Sequence, residues 1–362
     1  MANASSGATF PSDLADHCEA ISEFWVAQWG CHQLSILREH GAEVLANFKK
    51  QLLRRHQRDY FLPGLDKLGI SRELPPAVIA ARYHYFSNML GGLRMEYIEE
   101  SPKRVWIRYL APSYSFTGVS LAAVPGKVQR SMFSGWHPFN GLSLGQPRLG
   151  FVVTKVFQDG EPYDEGYFEE FDEPLAEDQR IQFRPVATSP DYDPAKAPRL
   201  DESVWPADRR AKALRNFSRG FFEDSIRANL ELYGVNSTAA TLAQSMRIFA
   251  IQFFGEYRKR YGFDVVRAAD LVAFFRALSE MANEPFSIET LDGGTIRVRR
   301  ANRMLSGDRA PYEIFFALAE FLKLCAKVAS ARIKVDLVSV EHGEDGLAHE
   351  VWEFADSAER LF

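Results

Sequence analysis

Two stretches decide how this chain folds: RLGFVVTKVFQDGEPYDEGYFEEFD, Arg148 to Asp172, and RIKVDLVSVEHGEDGLAHEVWEFAD, Arg332 to Asp356. Each opens on an arginine and an apolar residue. Each then runs through a β-rich segment, a Gly/Asp/Glu turn and an aromatic-acidic strand. Arg148 aligns with Arg332, Val156 with Val340, Phe168 with Trp352 and Glu169 with Glu353 at one offset. A turn dipeptide between two such runs reads as a β-hairpin, with turns at Asp159-Gly160 and near Asp345-Gly346.

The likeness extends upstream. MEYIEESPKRVWIRYL, from Met95, resembles FSIETLDGGTIRVRR, from Phe286, with Val105, Ile107 and Arg108 set against Ile296, Val298 and Arg299. Alternating apolar and polar residues predict a sheet with one face buried and one wet. A helical block precedes each hairpin, residues 24–56 and 228–262. Each holds an aromatic-glycine pair, Trp29-Gly30 or Tyr233-Gly234, that reads as a helix end, and Asn236, Ser237 or Thr238 reads as the next cap. Leu242, Met246, Phe249, Phe253 and Tyr257 recur at helical spacing as one apolar stripe.

The expected fold is therefore α+β: two similar modules by internal duplication, each an antiparallel sheet of hairpins backed by helices. The expected boundaries are 1–175 for the first module, 176–215 for a Pro/Asp-rich linker and 216–362 for the second. Between its hairpins the second module carries a clean helix, PYEIFFALAEFLKLCAKVAS, from Pro311. The first begins a similar helix, PGKVQRSMF, and breaks it at Gly135 and Pro138. The WHPFNG segment thus departs from the repeat, which marks a place for either grafted function or drift.

Composition narrows the function. The chain has 362 residues, 46% apolar and 25% charged, with net charge −5. No basic stripe matches a phosphate backbone, so no nucleic-acid partner is expected. The odd set of three cysteines, Cys18, Cys31 and Cys325, fits a reducing compartment. There is no apolar signal core and no membrane-length apolar run, so a cytoplasmic protein without a membrane partner is expected. The 13% of aromatic residues suits packed cores and pockets for flat ligands alike. Phosphate-loop, dinucleotide, nucleophile-elbow and zinc-protease motifs are absent, and no cofactor is expected.

The order helix pair, hairpin, helix, then LGxPxLGFVxTKxxxDGxP resembles the family of L-2-amino-thiazoline-4-carboxylic acid hydrolase-like proteins. Leu144, Gly145, Pro147, Leu149, Thr154, Asp159, Gly160 and Pro162 carry the resemblance. It implies hydrolase chemistry. The cysteines of the family pattern are matched only by Cys325.

The candidate catalytic residues are His137 in the broken segment, His84 among Tyr83, Tyr85 and Phe86, and the nearby Tyr114 and Glu96. Trp136, Asn140, Arg108 and Tyr85 are the candidate substrate-binding residues. A buried Arg108 would require an anionic partner, and Arg299 is its expected counterpart. His342 and His349 bracket an acidic hairpin tip that could also hold a metal, although no metal is expected. The leading expectation is a cofactor-independent enzyme using acid-base chemistry for hydrolysis or lyase-type cleavage of a small aromatic or heterocyclic compound. The alternatives are a small-molecule binding or sensing protein without catalysis, and a partner-binding scaffold, with self-association left open.

Overall fold

The computed structural model describes residues 10–111, 124–186, 188–307 and 310–361. The chain divides into two compact units, residues 36–217 and residues 1–35 with 218–362. The opening helical residues thus group with the C-terminal part, and the 176–206 segment belongs to the 36–217 unit, unlike the boundaries expected at 175 and 216.

The α+β class holds, with two antiparallel hairpin sheets and helices against them. The helices are α1 (Leu14–Leu68), α2 (Pro76–Leu90), α3 (Gly126–Trp136), α4 (Pro138–Ser143), α5 (Ala207–Arg260), α6 (Ala268–Ala282) and α7 (Tyr312–Ala329). In the 36–217 unit, β1 (Met95–Ser101), β2 (Arg104–Leu110), β3 (Leu149–Lys155), β4 (Tyr163–Glu170) and β5 (Ile181–Phe183) lie in the order β1-β2-β4-β3-β5. The other unit has β6 (Phe286–Thr290), β7 (Ile296–Asn302), β8 (Ile333–His342) and β9 (Ala348–Asp356) in the order β6-β7-β9-β8.

The two sheets share their register at matched residues. Val105 opposes Phe168 and Val298 opposes Trp352, while the pairs Arg104–Glu169 and Arg297–Glu353 are bridged in both. This register sets Val105 against Val298, two residues away from the expected alignment. Arg108 then corresponds to Ala301, not Arg299. Arg108 is buried, whereas Arg299 is exposed opposite Val351. Arg299 therefore gives no support to a shared structural role.

The long helices correct a second expectation. Gly30 lies inside α1, whose kink is at Gly41; in α5 two helical segments do meet across a kink at the expected Tyr233-Gly234 pair. Gly41 (φ 84°, ψ 176°) and Gly234 (φ 76°, ψ 177°) hold nearly the same left-handed, extended conformation, which side chains beyond glycine rarely adopt. Thr238 does not cap a new helix; its hydroxyl donates back to the Gly234 carbonyl at 2.7 Å across the kink.

The sheets differ in how they are covered. β8 and β9 alternate buried and less buried residues along much of their length. β3 is buried at six successive positions, because α2 and the α3–α4 segment cover one face of its sheet while Val186, Ser189 and Pro190 lie against the other and β5 pairs along its edge. The supposed linker is thus partly a sheet layer: β5 pairs in parallel with β3, and Ser189 and Pro190 bond to Glu165 and Arg108. No helix is long and apolar enough to cross a membrane among the described residues.

Candidate functional site

In the 36–217 unit the structure brings His84, His137 and Asn140 together beneath the helix-covered face of the sheet. Their hub is Tyr109 on β2, a residue the sequence reading did not select. The Tyr109 hydroxyl lies 3.2 Å from His84 Nδ1 and 2.9 Å from His137 Nε2, and Asn140 Nδ2 lies 2.9 Å from His84 Nε2. In this amide orientation Asn140 donates to His84 Nε2, so the His84 proton sits on Nδ1 and is donated to the Tyr109 oxygen. Tyr109 in turn donates to His137 Nε2. Both imidazoles are neutral in this chain of bonds.

Burial enforces that neutrality. His84 is 4% and His137 6% exposed, and the rings stack between Phe151 and Phe168. Loss of hydration drives the His84 imidazole well below its usual range, with repulsion from His137 adding to it. Burial lowers His137 to about 3, opposed by the Phe133 carbonyl. Trp136 packs on Tyr83, His84 and His56 as a wall of the same core.

The other candidates lie apart. Side chains alternate along a strand, so Arg108 faces away from Tyr109. It donates to Glu165 at 2.6 Å, Glu96 at 2.7 Å and the Pro190 carbonyl at 2.5 Å. The anionic partner that a buried arginine needs is therefore supplied by the protein itself. Tyr85 is buried beside Phe86 and Tyr97. Tyr114 lies outside the described residues. At the last hairpin tip His342 donates to the Ala310 carbonyl and His349 contacts Asp345 at 3.1 Å. Among the described residues no group of three His, Cys, Asp or Glu side chains is arranged to hold a metal. Cys325 is free and fully buried, and its thiol is pushed up by that burial.

A cavity of about 80 Å³ lies between β7 and β9 of the sheet and helices α1, α6 and α7. Phe24, Trp25, Phe275, Phe315, Phe321 and Trp352 supply its aromatic walls. Its polar floor is built by strand alternation. Val298, Arg300 and Asn302 share one face of β7, as Glu350, Trp352 and Phe354 do on β9. Polar residues at core-facing positions are uncommon unless paired, and that pattern is the sequence signal that could have found the site. Arg299, the arginine singled out by the expected alignment, is the exposed neighbour of Arg300.

Glu350, 2% exposed, is fully supplied with donors: Arg300 Nε at 2.9 Å and Nη2 at 2.8 Å, Asn302 Nδ2 at 2.6 Å and Trp352 Nε1 at 2.9 Å. Arg300 also lies over the Phe275 ring, 4.7 Å from its centroid. Glu284, just after α6, is less well served. It accepts the Arg303 amide at 2.9 Å, while Arg300 Nη1 comes only to 3.5 Å. Burial raises the Glu284 carboxyl above the usual carboxylate range; Arg300 and the Arg303 amide oppose the rise, and Glu350 adds to it.

The corresponding sheet face of the 36–217 unit has been filled. The matched register sets Gly166 at the place of Glu350 and Ile107 at that of Arg300. A Cβ on Gly166 would stand 2.5 Å from Phe151 Cζ, so the Phe151 ring occupies that space. No protein-family model, curated protein or solved structure matches the chain, so the hydrolase-like resemblance rests on the Leu144–Pro162 residues alone.

Proposed function

We propose that this chain is a small-molecule binding protein whose ligand occupies the cavity over β7 and β9. The carrying observation is an aromatic-walled space with two carboxylates and one guanidinium at its floor, the combination of apolar enclosure and few polar anchors typical of ligand sites. His84 and His137, by contrast, are bonded to one another through Tyr109 and stacked on each other, so their polar atoms already have protein partners there.

The test is calorimetric titration of a panel of small apolar and polar compounds against the full chain and Ala319→Leu. Ala319 lines the cavity and is buried, so the added atoms enter it. Binding to the native chain that the variant loses supports the proposal. Equal binding by both places the ligand elsewhere and overturns it.

A second reading is hydrolysis or lyase-type cleavage of the same ligand, cofactor-independent and by acid-base chemistry. It is favoured by Glu284, a cavity-lining carboxyl whose proton affinity is raised by burial. Turnover that survives Glu284→Gln would exclude that role. The internal duplication is proposed on the shared strand order and register.

A further inference from the structure

We propose that the ligand of the β7–β9 cavity is a compact ammonium compound, its apolar body between the aromatic walls and its N–H donors on Glu284. This rests on the cavity being a ligand site.

The charged side chains lining the cavity are Glu284, Arg300 and Glu350, two acids against one base. The residues contributed by α1 and α7 are uncharged: Ile21, Phe24, Trp25 and Gln28, and Phe315, Leu318, Ala319, Phe321 and Leu322. The same holds for Phe275, Leu278 and Ala282 on α6. Nothing on the walls compensates the floor. Beyond the lining, Arg219 also favours the charged form of Glu284, but it is engaged with Glu223 at 3.2 Å.

Hydrogen bonding points the same way. Arg300 spends Nε and Nη2 on Glu350, and Glu350 receives four donor contacts in all. Glu284 receives one good bond, from a backbone amide, and a distant guanidinium. A buried carboxylate with spare acceptor capacity is costly until a donor arrives, and a cationic donor brings the missing charge. The aromatic faces add an attraction for a cation that they do not offer to an anion. Size limits the buried part: about 80 Å³ is roughly half of the ~150 Å³ engineered cavity that accepts benzene. A short alkyl chain fits better than a fused ring system.

A linked consequence concerns protons. With its carboxyl raised by burial, Glu284 holds its proton into a higher pH range than an exposed glutamate. An incoming ammonium favours the carboxylate, so binding expels that proton and tightens as pH rises. Arg300, Glu350, the Arg303 amide and the more distant Arg219 are the charged and polar groups that set this balance.

The experiment titrates the full chain with n-butylammonium, n-butanol and butyrate by calorimetry, followed also by fluorescence, since Trp25 and Trp352 line the cavity. The expected result is that butylammonium binds at least tenfold more tightly than butanol, with butyrate weakest. Glu284→Gln should then cost the ammonium about tenfold while leaving butanol unchanged, which also shows that the variant is folded. Heats measured in buffers of different ionisation enthalpy should reveal proton release with butylammonium alone. If butanol binds as tightly as butylammonium, or Glu284→Gln leaves the preference intact, the ammonium assignment is overturned while the cavity remains a ligand site. If none of the three binds in a manner sensitive to Ala319→Leu, both proposals fall.

Discussion

The imidazoles of His84 and His137 lie face to face, their centroids 4.3 Å apart and their planes 10° from parallel. Two cations cannot share that arrangement in a dry core, so the stack exists only while both rings are neutral. Below the ordinary histidine range the unfolded chain takes up protons that the folded chain refuses. Stability contributed by these groups is therefore present above pH ~6.5 and lost as pH falls toward the depressed folded values.

His137→Leu isolates this effect from the carboxylates that titrate in the opposite sense, such as Asp164, which burial raises to about 7. With His137 lowered to about 3, protonation of the unfolded state costs the native chain about 2 kcal/mol at pH 5 and almost nothing at pH 7.5. The penalty of His137→Leu should thus be about 2 kcal/mol smaller at pH 5 than at pH 7.5 in urea unfolding. A penalty independent of pH would mean that His137 is not held neutral.

Tyr109→Phe keeps the ring and removes the hydroxyl that joins the two histidines. His84 Nδ1 and His137 Nε2 then lose a buried partner, at a cost of about 1–3 kcal/mol. Hydrogen-exchange protection of α2 and β2 should fall accordingly. Ligand binding in the β7–β9 cavity should persist; its loss would show that this cluster takes part in the binding site.

Arg300→Met leaves the buried Glu350 and Glu284 without their guanidinium. Breaking a buried pair from one side costs about 3–5 kcal/mol, whereas removing both charges is much milder. Arg300→Met/Glu350→Met should therefore recover much of the loss seen in Arg300→Met, as read from a double-mutant cycle. Additive losses would show that Arg300 and Glu350 do not interact.

Gly41→Ala and Gly234→Ala test the kinks. A Cβ at either site meets nothing within 4 Å, so no clash contributes, but φ of +84° and +76° is strained for alanine. Each variant should lose about 1–3 kcal/mol in denaturant unfolding. Stabilisation, the usual response to Gly→Ala in a helix interior, would mean that the helices run straight through these positions.

The sequence made the hairpins legible because turn chemistry and strand alternation are local. Asp159-Gly160 and the Asp292–Gly294 turn lie where a two-stranded reading puts them, with Gly160, Gly293 and Gly294 at positive φ. The kink of α1 was placed at Gly30 rather than Gly41 for an equally local reason: a glycine inside a helical pattern reads as an end, and only neighbouring turns show that the helix continues, whereas the kink of α5 does lie at Gly234. Of the site residues, His84, His137 and Asn140 were chosen for their chemistry and do meet, but Tyr109 joins them from a strand distant in sequence. The matching of Arg108 with Arg299 failed because a two-residue slip preserves alternation and so leaves the apolar pattern looking right.

By itself the sequence determined the α+β class, the four hairpins, the break at Pro138 and the need of Arg108, if buried, for an anionic partner, because periodicity, turn residues and the cost of an unpaired charge act over short distances. Only the tertiary structure decided which helix-covered sheet face would be filled and which left open. Phe151 lies over Gly166 in one unit, while Glu350 stands at the matching place in the other, bound by Arg300, Asn302 and Trp352. Whether a face is packed or hollow depends on side-chain volume arriving from several elements at once, and no single stretch of the chain carries that sum.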